Sequence, residues 1–255
     1  MSLAVRAAVV TDPGLVRTNN EDSAYAGRLL FAVADGIGGL PAGEVASEIA
    51  IRAFAALDER FRTRREEPLR ALRAAADEAN EEIRRTSKAD PANDGMGTTV
   101  TVLLLSGDRF GLLHIGDSRA YRLRDGALTQ LTRDDTYVQA LVDQGLITAE
   151  AARNHPQRSL VTRAMHGEHI APTCQTLAAQ AGDRYLLCSD GLSDFVADGP
   201  IGQTLQSYPD PRECAEQLVK LAMQAGAPDN VTALVADVIA GHGAPVPGSG
   251  VIRPA

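Results

Sequence analysis

An α+β fold with antiparallel sheets is what this sequence predicts, on three observations. Strand-like and helix-like segments are segregated along the chain rather than alternating, which argues against repeated βαβ units. Short apolar runs stop abruptly at Asp, Gly, Asn or Pro, the punctuation of strands joined by turns. Arg124-Asp125-Gly126 sits between YRLR and ALTQL as a hairpin signal, which favours antiparallel pairing.

The elements can be justified in order. VRAAVVTD (5–12) and LLFAVAD (29–35) are short β-type runs bounded by turn residues. GIGGLPAG (36–43) reads as a loop, because Pro41 stands where a GxGxxG nucleotide motif needs its last glycine and no Walker lysine follows. Two helices come next, one with Val45, Ile49, Phe54, Leu57 and Phe61 and one with Leu69, Leu72, Ala76, Ala79 and Ile83 at near-helical spacing. They are expected to form an antiparallel pair. TTVTVLLL (98–105), FGLLHIGD (110–117) and AYRLRDG (120–126) are further strands, followed by a mixed polar segment over 136–167. RYLLCSD (184–190) and NVTALVADV (230–238) are the last two. Between them PRECAEQLVKLAMQAG (211–226) predicts a helix, with Asp210 at its N-cap, Pro211 in its first turn and Gly226 near its end. Cys214, Leu218, Leu221 and Ala225 share one of its faces, so Cys214 and Met223 read as packing residues rather than ligands.

Composition narrows the function. A chain of 255 residues with 44% hydrophobic content suits one large domain or two small ones. With 33 acidic against 25 basic residues and a net charge of −8, general binding to a phosphate backbone is disfavoured, and no nucleic-acid partner is expected. Cys174, Cys188 and Cys214 are too scattered for a disulfide framework or a CxxC metal site and suit a reducing cytoplasm. No stretch approaches the roughly 18 apolar residues of a membrane helix, so a soluble chain without a membrane segment is expected. Residues 241–255, rich in Gly and Pro, read as a tail or linker after a domain spanning 1–240.

The chemistry lies in the carboxylates. Three apolar runs deliver Asp35, Asp117 and Asp190 at their ends, Asp229 opens the last strand, and Asp22 precedes the Asp35 strand. Taken singly, each is ordinary turn chemistry. Converging on one end of a sheet system, they would repel and raise one another's pKa until a cation relieved the penalty. Oxygen-only ligands suit hard ions, Mg²⁺ or Mn²⁺, and two such ions about 3.5–4 Å apart can share a carboxylate and activate a water.

The motifs that surround these residues appear in a fixed order: Arg17-Thr18-Asn19-Asn20-Glu21-Asp22, VADGIGG (33–39), GMGTTV (95–100), GDSRAY (116–121), LTRDDT (131–136), CSDGLSD (188–194) and PDNVT (228–232). In this the chain resembles the metal-dependent PP2C-type protein Ser/Thr phosphatases, most closely their compact bacterial branch, over residues 5–239. The resemblance implies a β-sandwich of two antiparallel sheets flanked by pairs of α-helices, with a dinuclear Mn²⁺ or Mg²⁺ site at one end. It implies that Asp35 bridges the two ions, that Gly36 gives its carbonyl to one, and that Asp190 and Asp229 complete the other. Asp117 matches a ligand for a third, weaker ion, and Asp22 and Glu21 match outer residues that orient metal-bound water. Arg17 matches the arginine that grips the substrate phosphate, a task suited to its planar fork.

The implied reaction is hydrolysis of phosphoserine and phosphothreonine by direct in-line attack of a metal-bridging hydroxide, with no phosphoenzyme. The implied partners are phosphoproteins, including a cognate bacterial Ser/Thr kinase, and a monomer is expected. One departure stands out: many eukaryotic relatives read DGHGG, and this chain has Ile37 in place of the histidine thought to protonate the leaving group. His114 is the nearest sequence candidate for that role, although a lone His inside an apolar strand is more often a satisfied core residue. The 136–167 segment, with His155 and His166 inside it and His169 just after it, resembles the flap beside the active site; a plain helical insertion is the alternative. Two other functions stay open on the sequence, a PP2C-fold binding or regulatory protein without turnover and a two-metal small-molecule phosphatase.

Overall fold

The computed structural model describes residues 2–37, 42–63, 66–241 and 250–252. Within them two antiparallel sheets pack face to face. One runs β1 (Leu3–Asp12), β11 (Val231–Ala240), β10 (Arg184–Cys188), β7 (Arg119–Arg124) and β8 (Ala127–Gln130). The other runs β12 (Gly250–Ile252), β2 (Asp22–Ala26), β3 (Leu30–Ile37), β5 (Val100–Ser106), β6 (Arg109–Ile115) and β9 (Thr173–Ala178), with β4 (Gly97–Thr98) paired to the end of β3. The β-sandwich implied by the resemblance is therefore present.

Helices cover both outer faces. Helices α1 (Ala42–Phe61) and α2 (Pro68–Ala89) lie on the β3 sheet, while α6 (Asp198–Ser207) and α7 (Pro211–Gln224) cover the β10 sheet. This explains why β3 and β10 read as continuous apolar runs. Leu30, Ala32 and Ala34 of β3 face α1 and α2, and Phe31 and Val33 face the second sheet. In β10, Tyr185 and Leu187 point between the sheets while Leu186 and Cys188 point to α6 and α7. A strand buried on both faces loses the polar alternation of a half-exposed one. Phe110 joins the layers, edge-on to Phe31 at 6.4 Å and to Tyr185 at 4.9 Å between ring centres.

Several sequence expectations hold. Asp210 caps α7 by accepting from the Arg212 and Glu213 amides, and Cys214 is buried in the core. Cys174, Cys188 and Cys214 are free thiols. Asp125 and Gly126 both take left-handed φ, +51° and +78°, at the β7–β8 hairpin. Among the described residues no helix is long and apolar enough to cross a membrane.

Other features were not anticipated. The expected loop over 36–43 is narrower, since Gly36 and Ile37 finish β3 and Ala42 and Gly43 begin α1, while 38–41 lie outside the described residues. Of the expected tail, residues 242–249 and 253–255 lie outside the described residues, and Gly250–Ile252 pairs with Ala24–Ala26 of β2. The 136–167 segment holds two short helices, α3 (Tyr137–Asp143) and α4 (Ala149–Arg153), each capped by a threonine hydroxyl, Thr136 and Thr148.

Candidate metal centre

At one end of the sandwich, Arg17, Glu21, Asp35, Gly36, Asp117, Asp190 and Asp229 line one cavity of about 210 Å³. The four aspartates arrive from different places in the chain. Asp35 lies near the end of β3, Asp117 on the turn between β6 and β7, Asp190 at the start of the short helix α5 (Asp190–Ser193) after β10, and Asp229 just before β11. The antiparallel register that pairs β10 with both β7 and β11 brings the last three together.

Backbone packing holds these ends closely. Asp35 donates its amide to Thr99 Oγ1 at 3.1 Å, and its carbonyl accepts from the Thr99 amide at 2.8 Å and from Thr98 Oγ1 at 2.8 Å. The glycines that follow Asp35 and Asp190 are required for close approach. A Cβ on Gly36 would overlap the Gly43 carbonyl, and one on Gly191 would overlap the carbonyl of Asn230. Gly36 also donates its amide to the Glu21 carbonyl at 3.2 Å.

Behind the cavity sits Asp22, the cross-strand partner of Asp35. It is 1% exposed. Its Oδ2 accepts from Ser189 Oγ at 2.7 Å and from Thr232 Oγ1 at 2.6 Å, while its Oδ1 is buried with no hydrogen-bond partner. Glu21 accepts from Asn19 Nδ2 at 3.0 Å and is anchored through its amide on Asn230 Oδ1 at 2.7 Å.

Electrostatics make this an unfavourable place for so many carboxylates. Burial pushes the Asp35 carboxyl well above its ordinary range, and Asp22, Asp190, Asp117 and Asp229 push it further. Asp190 is raised in the same way by burial and then by Asp117, Asp194, Asp229 and Asp22. Asp117 is pushed up to about 7 by burial, with Asp134 and Asp194 adding to it. Asp22 reaches about 6, burial outweighing its two hydroxyl donors. Glu21 is also raised, chiefly by burial.

Does this set fit hard cations? Its donors are all oxygen, they repel one another, and Asp22 Oδ1 is a buried acceptor lacking a donor; each of these is relieved by positive charge. Among the described residues, however, no three Asp, Glu, His or Cys side chains close around a single point. Asp229 shows why. Its two oxygens are turned to Arg17, with Nε to Oδ1 at 2.9 Å and Nη2 to Oδ2 at 3.0 Å, and Oδ1 also accepts the Asn230 amide at 2.9 Å. The carboxylates form an open ring, suited to ions that keep part of their water.

Not every sequence candidate belongs here. His114 is fully buried in β6, with Nδ1 2.9 Å from Thr101 Oγ1 and Nε2 3.1 Å from the Arg133 carbonyl. Burial lowers its pKa, and it does not line the cavity, so it is the satisfied core residue. Ile37 does line the cavity, and among the described residues no histidine does.

Sequence reasoning missed the supporting residues. Asn230 clamps Pro13 and Asn19 through Nδ2 at 2.9 Å each, and Arg119 forks onto Asp134 with Nη2 to Oδ2 at 2.6 Å. Both lie inside motifs already noted, PDNVT and GDSRAY, so the signal was there. Ser189 and Thr232 likewise lie inside CSDGLSD and PDNVT, but nothing local showed that both hydroxyls would turn onto Asp22.

Residues 17–236 match the family model described as "Protein phosphatase 2C". The chain belongs to that family. It is 53% identical over 243 residues to the serine/threonine protein phosphatase PstP of Mycobacterium tuberculosis, covering 94% of this chain and 46% of that protein. The chain thus spans about half the length of that relative. A serine/threonine phosphatase of Listeria monocytogenes is 33% identical over 235 residues, covering 89% of this chain and 93% of its own. Among solved structures, the catalytic domain of PstP in complex with two manganese ions superimposes with a TM-score of 0.88 at 51% identity, covering 94% of this chain and all of that one. The PP2C frame and the carboxylate-lined cavity at the end of its sandwich therefore occur together in this chain.

Proposed function

We propose that residues 1–240 form the catalytic domain of a metal-dependent protein serine/threonine phosphatase. The observation that carries this reading is the convergence of Asp35, Asp117, Asp190 and Asp229 with Arg17 on one cavity of a PP2C fold. In our reading Asp35, the Gly36 carbonyl, Asp190 and Asp229 hold two Mn²⁺ or Mg²⁺ ions, and Asp117 holds a third, weaker one. The two manganese ions bound by the related PstP catalytic domain support the pair. When bound, such ions neutralise the carboxylates and supply Lewis-acid activation of water and of the phosphoryl oxygens.

The chain's own residues do the rest. Arg17 uses Nε and Nη2 on Asp229, which leaves the edge formed by Nη1 and Nη2 free to fork onto two oxygens of a substrate phosphate. Asp229 in turn keeps the guanidinium from swinging into solvent. Glu21 stands on the cavity wall and Asp22 behind it, where Asp22 Oδ1, lacking a donor, accepts a proton or a hydrogen bond from water that enters. Ile37, in the place of the histidine of some relatives, offers no proton to the departing serine or threonine oxygen, so that proton comes from water.

Substrates in this reading are phosphoserine and phosphothreonine proteins, among them a cognate kinase, acted on by a monomer in the cytoplasm. Calorimetric titration of Mn²⁺ into wild type, Asp35→Asn and Asp190→Asn tests the metal assignment. Binding in the wild type that is lost in both variants supports it; binding unchanged in both variants refutes it.

A further inference from the structure

The segment LTRDDT holds a buried carboxylate that the site described above does not use. Asp135 lies between β8 and α3 with its side chain 4% exposed. It makes a reciprocal clamp on the residue before Asp117. The Gly116 amide donates to Asp135 Oδ2 at 3.1 Å, and the Asp135 amide donates to the Gly116 carbonyl at 2.7 Å.

The other carboxylate oxygen faces the opposite way. Asp135 Oδ1 accepts from Arg163 Nη2, and the Asp135 carbonyl accepts from the Thr162 amide at 2.7 Å and from Thr162 Oγ1 at 2.9 Å. Arg163 is held further by the Ala171 carbonyl at 3.2 Å. Residues 159–163 are the limb by which the chain returns from α3 and α4, and Ser159 and Val161 of that limb line the cavity. Thr136 bridges to Val161 beside this contact, and the Tyr137 amide donates to the Leu160 carbonyl at 2.9 Å.

Gly116 is itself locked in place. Its φ is +102°, and a Cβ there would crowd the Thr99 side chain, the same threonine whose hydroxyl receives the Asp35 amide. One carboxylate thus ties the turn carrying Asp117 to the returning limb of the excursion over 137–161.

We infer that Asp135 and Arg163 are positioning residues: their ion pair fixes the Ser159–Val161 wall of the cavity against the Asp117 turn and so sets the width of the opening that receives the phosphorylated side chain. The structural part rests on the hydrogen bonds alone; its consequence for turnover rests on the phosphatase reading above. A buried carboxylate bonded to a backbone amide on one side and a guanidinium on the other holds two segments at one distance, and removing either contact loosens one of them, leaving only main-chain bonds.

The test uses Arg163→Gln, Arg163→Lys and Asp135→Asn in the Mn²⁺-loaded protein, read by amide exchange over residues 137–160 and by kinetics on a phosphothreonine peptide. Arg163→Gln and Asp135→Asn are expected to speed exchange in that excursion and raise KM by roughly tenfold, the loss of one charged hydrogen bond, with kcat changed much less. Arg163→Lys, which keeps the charge, is expected to recover most of both. The inference is overturned if Arg163→Gln matches wild type in exchange and KM, or if Arg163→Lys is as impaired as Arg163→Gln. Should wild type fail to turn over the peptide, the phosphatase reading falls, while the exchange comparison still decides the coupling.

Discussion

Asp22 and Asp35 face each other across the β2–β3 pair, two like charges at one register position, with Asp22 turned to Ser189 and Thr232 of the second sheet's strand ends. Like charges directly opposite destabilise a strand pair, and burial removes the water that would screen them. Their retention marks a site kept for binding rather than for stability. In EDTA at pH 8, Asp22→Asn is expected to stabilise the chain by about 1 kcal/mol, raising Tm by roughly 2–4 °C. A thermal melt checks it.

Burial, with that repulsion added, sets a pH dependence. Carboxyls raised in the folded chain bind more protons folded than unfolded, so their stabilising share is complete below about pH 4, the unfolded value, and is lost as pH rises through the folded value. The loss begins near pH 4 and is complete just above about 6 for Asp22 and about 7 for Asp117. Without divalent ions, the gap in Tm between Asp117→Asn and wild type should therefore widen in favour of the variant from pH 4 to pH 8. Saturating Mn²⁺ should raise wild-type Tm at pH 8 far more than at pH 4.

Arg17 reaches Asp229 across 212 positions of sequence and turns one edge toward the cavity. Arg17→Ala is expected to lower kcat/KM on a phosphothreonine peptide by roughly 10–100-fold, the range for losing a hydrogen bond to a charged group. Arg17→Lys should recover only part, since an ammonium cannot fork onto Asp229 and phosphate together. Steady-state kinetics on the three proteins decide it.

Asp117 lies on the turn shared by the main cavity and the Arg119–Asp134 pair. Asp117→Ala is expected to weaken turnover and raise the Mn²⁺ concentration needed for it, with two ions still bound by calorimetry. Loss of both would contradict its assignment to the third ion.

Much of this was legible in the sequence because burial on two faces leaves an unbroken apolar run, as in LLFAVAD and RYLLCSD, and each run ended at a site aspartate. Strand β2 escaped because DSAYA is five residues of mixed polarity, buried by its neighbours rather than by its own composition. Helix α6 escaped because DGPIGQTLQS carries two glycines and a proline that mask its Ile201 and Leu205 contacts with the core. The Asp22–Asp35 register and the Arg17–Asp229 fork depend on which strands pair, and no local pattern encodes that. His114 was legible as a core residue, since an isolated imidazole in an apolar strand finds its partners across the sheet, here Thr101.

The most direct test is phosphate release from a phosphothreonine peptide in Mn²⁺, in Mg²⁺ and in EDTA, with Asp190→Asn alongside. The account expects release that requires the divalent ion and disappears in the variant. Release that persists in EDTA or in Asp190→Asn, or none from the folded, Mn²⁺-loaded wild type, would contradict it.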